Sequence, residues 1–190
     1  MWSPTVIQRS PALLIVDASR DLSGWESEFC NRLFNALTRR GLEQVGTIPL
    51  RVGRPSELIQ HSLAEASCIL IVSHGQETVP SAAQELRDYV SWLRAHQTGP
   101  QLLAICSWQY HDPTLTDEVL KAPNEFAPLA VAQQSPVTAR EAGLFFLKFF
   151  TELDLHSENE MSGRMVWFAW SKAKELLNRR GLRGRFGVRA

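Results

Sequence analysis

Short unbroken apolar runs alternate along this chain with stretches whose apolar residues recur every three or four positions. The runs 12–16, 68–72, 102–105 and 129–132 contain no polar residue, the pattern of strands buried on both faces. A segment at 43–50 is also read as a strand, but Gly46 and Pro49 suit an edge position. Between the strands the period changes to that of a helix. Ser23 and Glu26 form a capping box ahead of a stripe of Cys30, Leu33, Phe34 and Leu37, closed by Arg39, Arg40 and Gly41. Pro55 opens a short helix carrying Leu58, Ile59 and Leu63. A second box, Ser81 to Gln84, precedes Leu86, Tyr89, Val90 and Leu93. A third, Thr138 to Glu141, precedes Ala142, Phe145, Phe146, Phe149, Phe150 and Leu153. The last helix is read from Met165, Val166, Phe168, Ala169, Ala173, Leu176 and Leu177, ending before Gly181.

Strand 68–72, helix 81–93 and strand 102–105 make a βαβ unit. Its right-handed crossover makes the strands parallel and sets their carboxyl ends on one edge of the sheet, where open α/β sheets bind ligands. The first strand is followed by Ser73, His74 and Gly75, the second by Cys106, Ser107 and Trp108. His74 and Cys106 are therefore expected to face one crevice. The chain is expected to fold as a single α/β domain over 1–190, with loose termini at 1–10 and in the basic, glycine-punctuated tail 182–190.

Composition narrows the functional classes. Twenty basic residues balance twenty acidic ones in 190, so no global field favours a polyanion, and nucleic acid is not expected as a partner. No apolar run approaches the roughly 18 residues of a membrane helix, so no membrane association is expected. Three cysteines without metal-ligand spacing fit a reduced, cytoplasmic protein. No phosphate loop, HExxH motif or paired-carboxylate signature is present, so neither a cofactor nor a metal is expected.

Cysteine is a nucleophile as the thiolate, and a histidine at the same crevice can take its proton. His74 is the natural base for Cys106, and the Gly75 N–H is placed to face an oxyanion. His111, five residues after the cysteine, is a second candidate base. Asp17 and Arg20 end the first strand on the same edge, and with Trp108 and Gln134 are candidates for a substrate pocket. Cys30 and Cys68 are read as core residues, and His61 and His96 lie on helices without a partner in view. On spacing alone, a His-Gly turn and a cysteine that fills the core describe the pair without any chemistry, since a cysteine in an apolar strand is more often core filler than nucleophile.

The order strand–His74–Gly75, helix, strand–Cys106 resembles the caspase-like cysteine peptidases, and among them the CHAT (caspase-HA-associated, TPR-linked) domains. Residues 128–142, running through Gln134, Ser135, Pro136 and Val137 into the aromatic-rich helix 143–153, resemble the late segment of those domains, and residues 169–173 resemble their closing helix. The resemblance implies a caspase-like three-layer sandwich: a mostly parallel central sheet with helices on both faces. It further implies a thiol endopeptidase in which His74 is the base, Cys106 the nucleophile, and Gly75 and Cys106 supply oxyanion-binding amides. The substrate would be a protein or peptide, under control of a separate regulatory chain. Ala104 and Ile105 depart from the usual residues before the cysteine, which allows a non-cleaving member of the family. Residues 100–109 also resemble the nucleophile strand of class I glutamine amidotransferases and their DJ-1-like relatives, although the Gly after the cysteine and the C-terminal His-x-Glu pair are missing. A third alternative is a catalytically silent caspase-like interaction module.

Overall fold

A computed structural model of the chain describes residues 13–17, 25–42, 45–49, 66–74, 100–108, 119–121, 127–153, 155 and 161–190, with backbone alone at 17, 25–27, 46–49, 73–74 and 107–108. Six strands form one sheet: β1 (Leu13–Asp17), β2 (Val45–Pro49), β3 (Cys68–His74), β4 (Leu102–Trp108), β5 (Leu129–Gln133) and β6 (Phe186–Arg189). Their order is β2-β1-β3-β4-β5-β6. The first five are parallel to their neighbours, and β6 runs antiparallel to β5. The four apolar runs occupy the interior of the sheet and the proline-bearing segment its edge, as their patterns predict. Pro49 is the last residue of β2, where a missing N–H is tolerated.

Among the described residues, the helices α1 (Trp25–Thr38), α2 (Ala139–Glu152) and α3 (Gly163–Arg179) cover one face. One phase of the strands, including Leu13, Ile15, Leu70, Leu102 and Val131, joins Leu33 and Leu37 of α1 and the four phenylalanines of α2 in a single core. The opposite phase, Leu14, Val16, Ile69, Ile71, Leu103 and Ile105, is no more than 7% exposed, so both faces of the sheet are buried. The chain is therefore of the α/β class. The helices predicted at 55–63 and 81–93 lie outside the described residues. None of the described helices is long and apolar enough to cross a membrane.

Helix ends follow from their residues. Thr138 caps α2 through a capping box closed by Glu141, and the Ser162 hydroxyl accepts from the Met165 N–H at the start of α3. After α1 and α3 the chain turns at Gly41 (φ +89°) and Gly181 (φ +67°), a left-handed conformation that costs glycine little. There the N–H groups of Leu42 and Leu182 return to the carbonyls of Leu37 and Leu177.

Three expectations need correction. The tail 182–190 is not a loose terminus: it ends in β6, and Phe186 is buried with its ring stacked on Phe145 at 3.8 Å. Phe168 does not belong to the apolar face of α3, being 48% exposed. Strand β4 does not end at Ile105 but pairs with β3 as far as Trp108, because Ser73 and His74 continue the partner strand alongside it.

Candidate functional site

The carboxyl edge of the sheet brings several of the predicted residues together at the level of the backbone. Strands β3 and β4 are neighbours, with Val72 in register with Cys106 and His74 with Trp108. Asp17, the last residue of β1, is in register with Val72 on the other side of β3. Position 74 thus lies one strand across and two residues along from position 106, which strand geometry makes roughly 8 Å between Cα atoms. The backbone register places positions 17, 74, 106 and 108 near one another on the adjacent parallel strands β1, β3 and β4. Arg20, Gly75 and His111 lie outside the described residues, as do His61 and His96.

At the cysteine itself the environment differs from expectation. Because β4 continues through Trp108, position 106 is inside the strand rather than after it, in the phase of Leu102 and Ala104, which faces the core. Its side chain is 0% exposed and belongs to the same apolar cluster as Val72, Phe149 and Phe150. Burial alone pushes the thiol well above its ordinary value. Cys68, the first residue of β3, is shifted in the same direction for the same reason. Burial thus acts on the two thiols in the same direction, although only one stands at the candidate site. The solvent-reachable crevice expected at the sulfur of Cys106 is not found there.

Gln134 is exposed just beyond β5, but it belongs to the join with β6. Its N–H donates to the Arg185 carbonyl at 2.7 Å, and its side-chain amide lies where a Cβ on Gly187 would come within 2.7 Å. It is thus held on the far side of β5 from β3. Among the described residues no group of three or more His, Cys, Asp or Glu side chains could hold a metal ion.

The most highly organised polar groups were not among the predicted site residues. Glu141, 8% exposed, uses both carboxylate oxygens: Oε2 accepts from the N–H and hydroxyl of Thr138, each at 2.9 Å, and Oε1 accepts from the N–H groups of Arg183 and Gly184, also at 2.9 Å. These bonds, led by that from the Thr138 amide, hold its carboxyl below its ordinary value against the opposing effect of burial. The capping box signalled the first pair of bonds; no local pattern signalled the second. Arg189 donates to the carbonyls of Val119, Ala127 and Pro128, and the Trp170 indole N–H donates to the Phe186 carbonyl at 2.8 Å. Apart from the capping-box pair, these contacts secure the C-terminal strand and the turn that leads into it. Compared with known protein families and with curated proteins, the chain matches no family model and no curated protein.

Proposed function

We propose that this chain is a caspase-like three-layer α/β domain acting as a catalytically silent interaction module. The scaffold part of this reading draws on the order of elements, on the side-by-side strands carrying His74 and Cys106, and on burial of both faces of the sheet. The observation that carries the silent part is the complete burial of Cys106 in apolar surroundings, which disfavours the thiolate that attack on a carbonyl requires. The same observation speaks against an amidotransferase-like enzyme, whose nucleophile needs an exposed strand-to-helix elbow; here Cys106 has two further strand residues after it.

A second reading has one specific observation in its favour. The register that sets position 74 across from β4 is the arrangement a His-Cys dyad would use, so a latent thiol endopeptidase, opened by a regulatory partner chain, is consistent with it. Alkylation and cleavage separate the two. Native protein treated with iodoacetamide at neutral pH should label Cys106 no faster than Cys68, and a proteome-wide cleavage comparison should find no cuts that depend on Cys106. Rapid, selective labelling of Cys106, with cuts lost in both Cys106→Ala and His74→Ala, would establish the peptidase instead.

A further inference from the structure

Helix α3 buries Val166, Ala169, Ala173 and Leu177 against the core and turns a second apolar group outward. Trp167 is 55% and Phe168 48% exposed, the two large hydrophobic side chains of the described residues that stand out in water. Cations surround them. Lys172 lies over the Phe168 ring at 5.6 Å, Lys174 over the Trp170 ring at 4.7 Å, and Arg164 is exposed at the head of the same outward face. Trp170 in turn packs beside Trp167, with ring centroids 6.4 Å apart.

The charge of this region is lopsided although the chain as a whole is neutral. Residues 163–190 contain eight of the twenty basic residues and a single acidic one, Glu175, leaving the preceding residues with an acidic excess of seven. Glu175 is already bonded by Arg179 and lies 3.6 Å from Lys172. An exposed aromatic pair ringed by cations is the composition of a protein-binding hot spot rather than of a solvated helix face.

From this combination we propose that the outward face of α3 docks an acidic, amphipathic segment of a partner protein. Apolar side chains of the segment would cover Trp167 and Phe168, while its carboxylates meet Lys172, Lys174 and Arg164. The positions of the lysines discriminate among anionic partners. A nucleobase stacked on the Lys172 side of Phe168 would have to displace that ammonium group. A lipid surface would have to draw both ring-bound ammonium groups below the headgroups together with the aromatics. A carboxylate-bearing segment pairs with the lysines where they stand and leaves their ring contacts intact. The inference is independent of the state of Cys106.

The test is a selection of random peptides of about 16 residues, long enough as a helix to match α3, on the full chain, followed by anisotropy measurements with the enriched peptides. Expected are acidic peptides with apolar residues at helical spacing. Their affinity should fall at least about ten-fold with Trp167→Ala and with Lys174→Glu, and weaken as salt is raised from about 0.05 to about 0.5 M. Replacing Glu by Lys in the peptide should restore binding to Lys174→Glu. Both substitutions are at exposed positions, and circular dichroism checks that each variant is folded. The proposal is overturned if no enriched peptide is weakened by these substitutions. It is equally overturned if they act instead on binding to a twenty-nucleotide oligothymidine, on binding to phosphatidylserine–phosphatidylcholine vesicles, or on concentration-dependent self-association of the chain.

Discussion

At the residue scale, two buried groups carry opposite lessons about polarity. Cys106 is a fully buried sulfur in the apolar cluster, where burial disfavours its anion, so it should behave as a small core side chain. Cys106→Ala removes one heavy atom from a packed site and should cost about 1 kcal/mol in urea unfolding. Cys106→Ser, nearly the same size, should cost more, about 1–3 kcal/mol, because it buries a hydroxyl in an apolar cluster. An equal or smaller cost for serine would mean that the position is wetter than its packing indicates. Glu141 is the reverse case, a buried carboxylate with four donors on two oxygens. Glu141→Gln keeps the shape but turns an NH₂ group toward one of the donor pairs, and should destabilise the fold by about 2–3 kcal/mol. The pH dependence has a definite sign. The folded carboxyl is held below its unfolded value of about 4.3, so its stabilisation is complete above that value and is lost as pH falls through the folded one. Stability of the wild type should drop on acidification below about pH 5, and Glu141→Gln should show a shallower drop over the same interval.

At the scale of elements, the strand β6 is tied down by contacts from four directions. Its Phe186 stacks on Phe145 of α2, Trp170 of α3 donates to the Phe186 carbonyl, Gly187 lies against Leu120 and Gln134, and Arg189 reaches three carbonyls beyond the edge of β5. A Cβ at position 187 would come within 2.6 Å of Leu120 Cδ1 and 2.7 Å of the Gln134 amide, the ends of two flexible side chains, so Gly187→Val should be met mainly by their movement and cost about 1 kcal/mol or less, a shift of a few degrees in the melting temperature. Trp170→Phe keeps the ring burial and removes the N–H, for about 1 kcal/mol. Thermal melts of the two variants would show whether close backbone approach or the indole bond matters more. These contacts also explain why β6 was illegible in the sequence. Its four residues include two apolar ones and an arginine, and every partner that makes it a strand is at least sixteen positions away in the chain. By contrast β1, β3, β4 and β5 are legible because burial on both faces leaves an unbroken apolar run, and α2 because its capping box and phenylalanine spacing are local. The candidate site falls between these cases. That His74 and Cys106 stand on parallel strands ending at one edge followed from the βαβ pattern, whereas the adjacency of those strands and the depth of the sulfur depended on which strands pair and where pairing with β3 stops, which no local pattern encodes.

At the scale of the whole molecule, sheet order and the C-terminal attachments together fix how the structure should open. Strands β1, β3 and β4 are flanked on both sides and buried on both faces, so their amides should exchange with solvent only when the molecule unfolds globally. Strands β2 and β6 are edges, with pairing on one side, and should exchange through smaller openings. The two edges differ, however, in what must break. Opening β6 also requires release of Arg183 and Gly184 from the same carboxylate that caps α2, so its protection should follow the ionisation of Glu141. Hydrogen exchange followed by mass spectrometry on peptides spanning 13–17, 68–74 and 183–190 can test this coupling. Glu141→Gln should raise exchange in 183–190 by about ten-fold or more, corresponding to about 1.4 kcal/mol or more of lost local stability, with a further increase at the start of α2. Peptides from β1 and β3 should change only by the loss in global stability measured independently. If 183–190 remains as protected as in the wild type, the stacked phenylalanines and the Trp170 bond hold the strand without the carboxylate. Uniform acceleration everywhere would instead make β6 part of the global unit, with its edge position masked by the contacts that α3 and Arg189 supply.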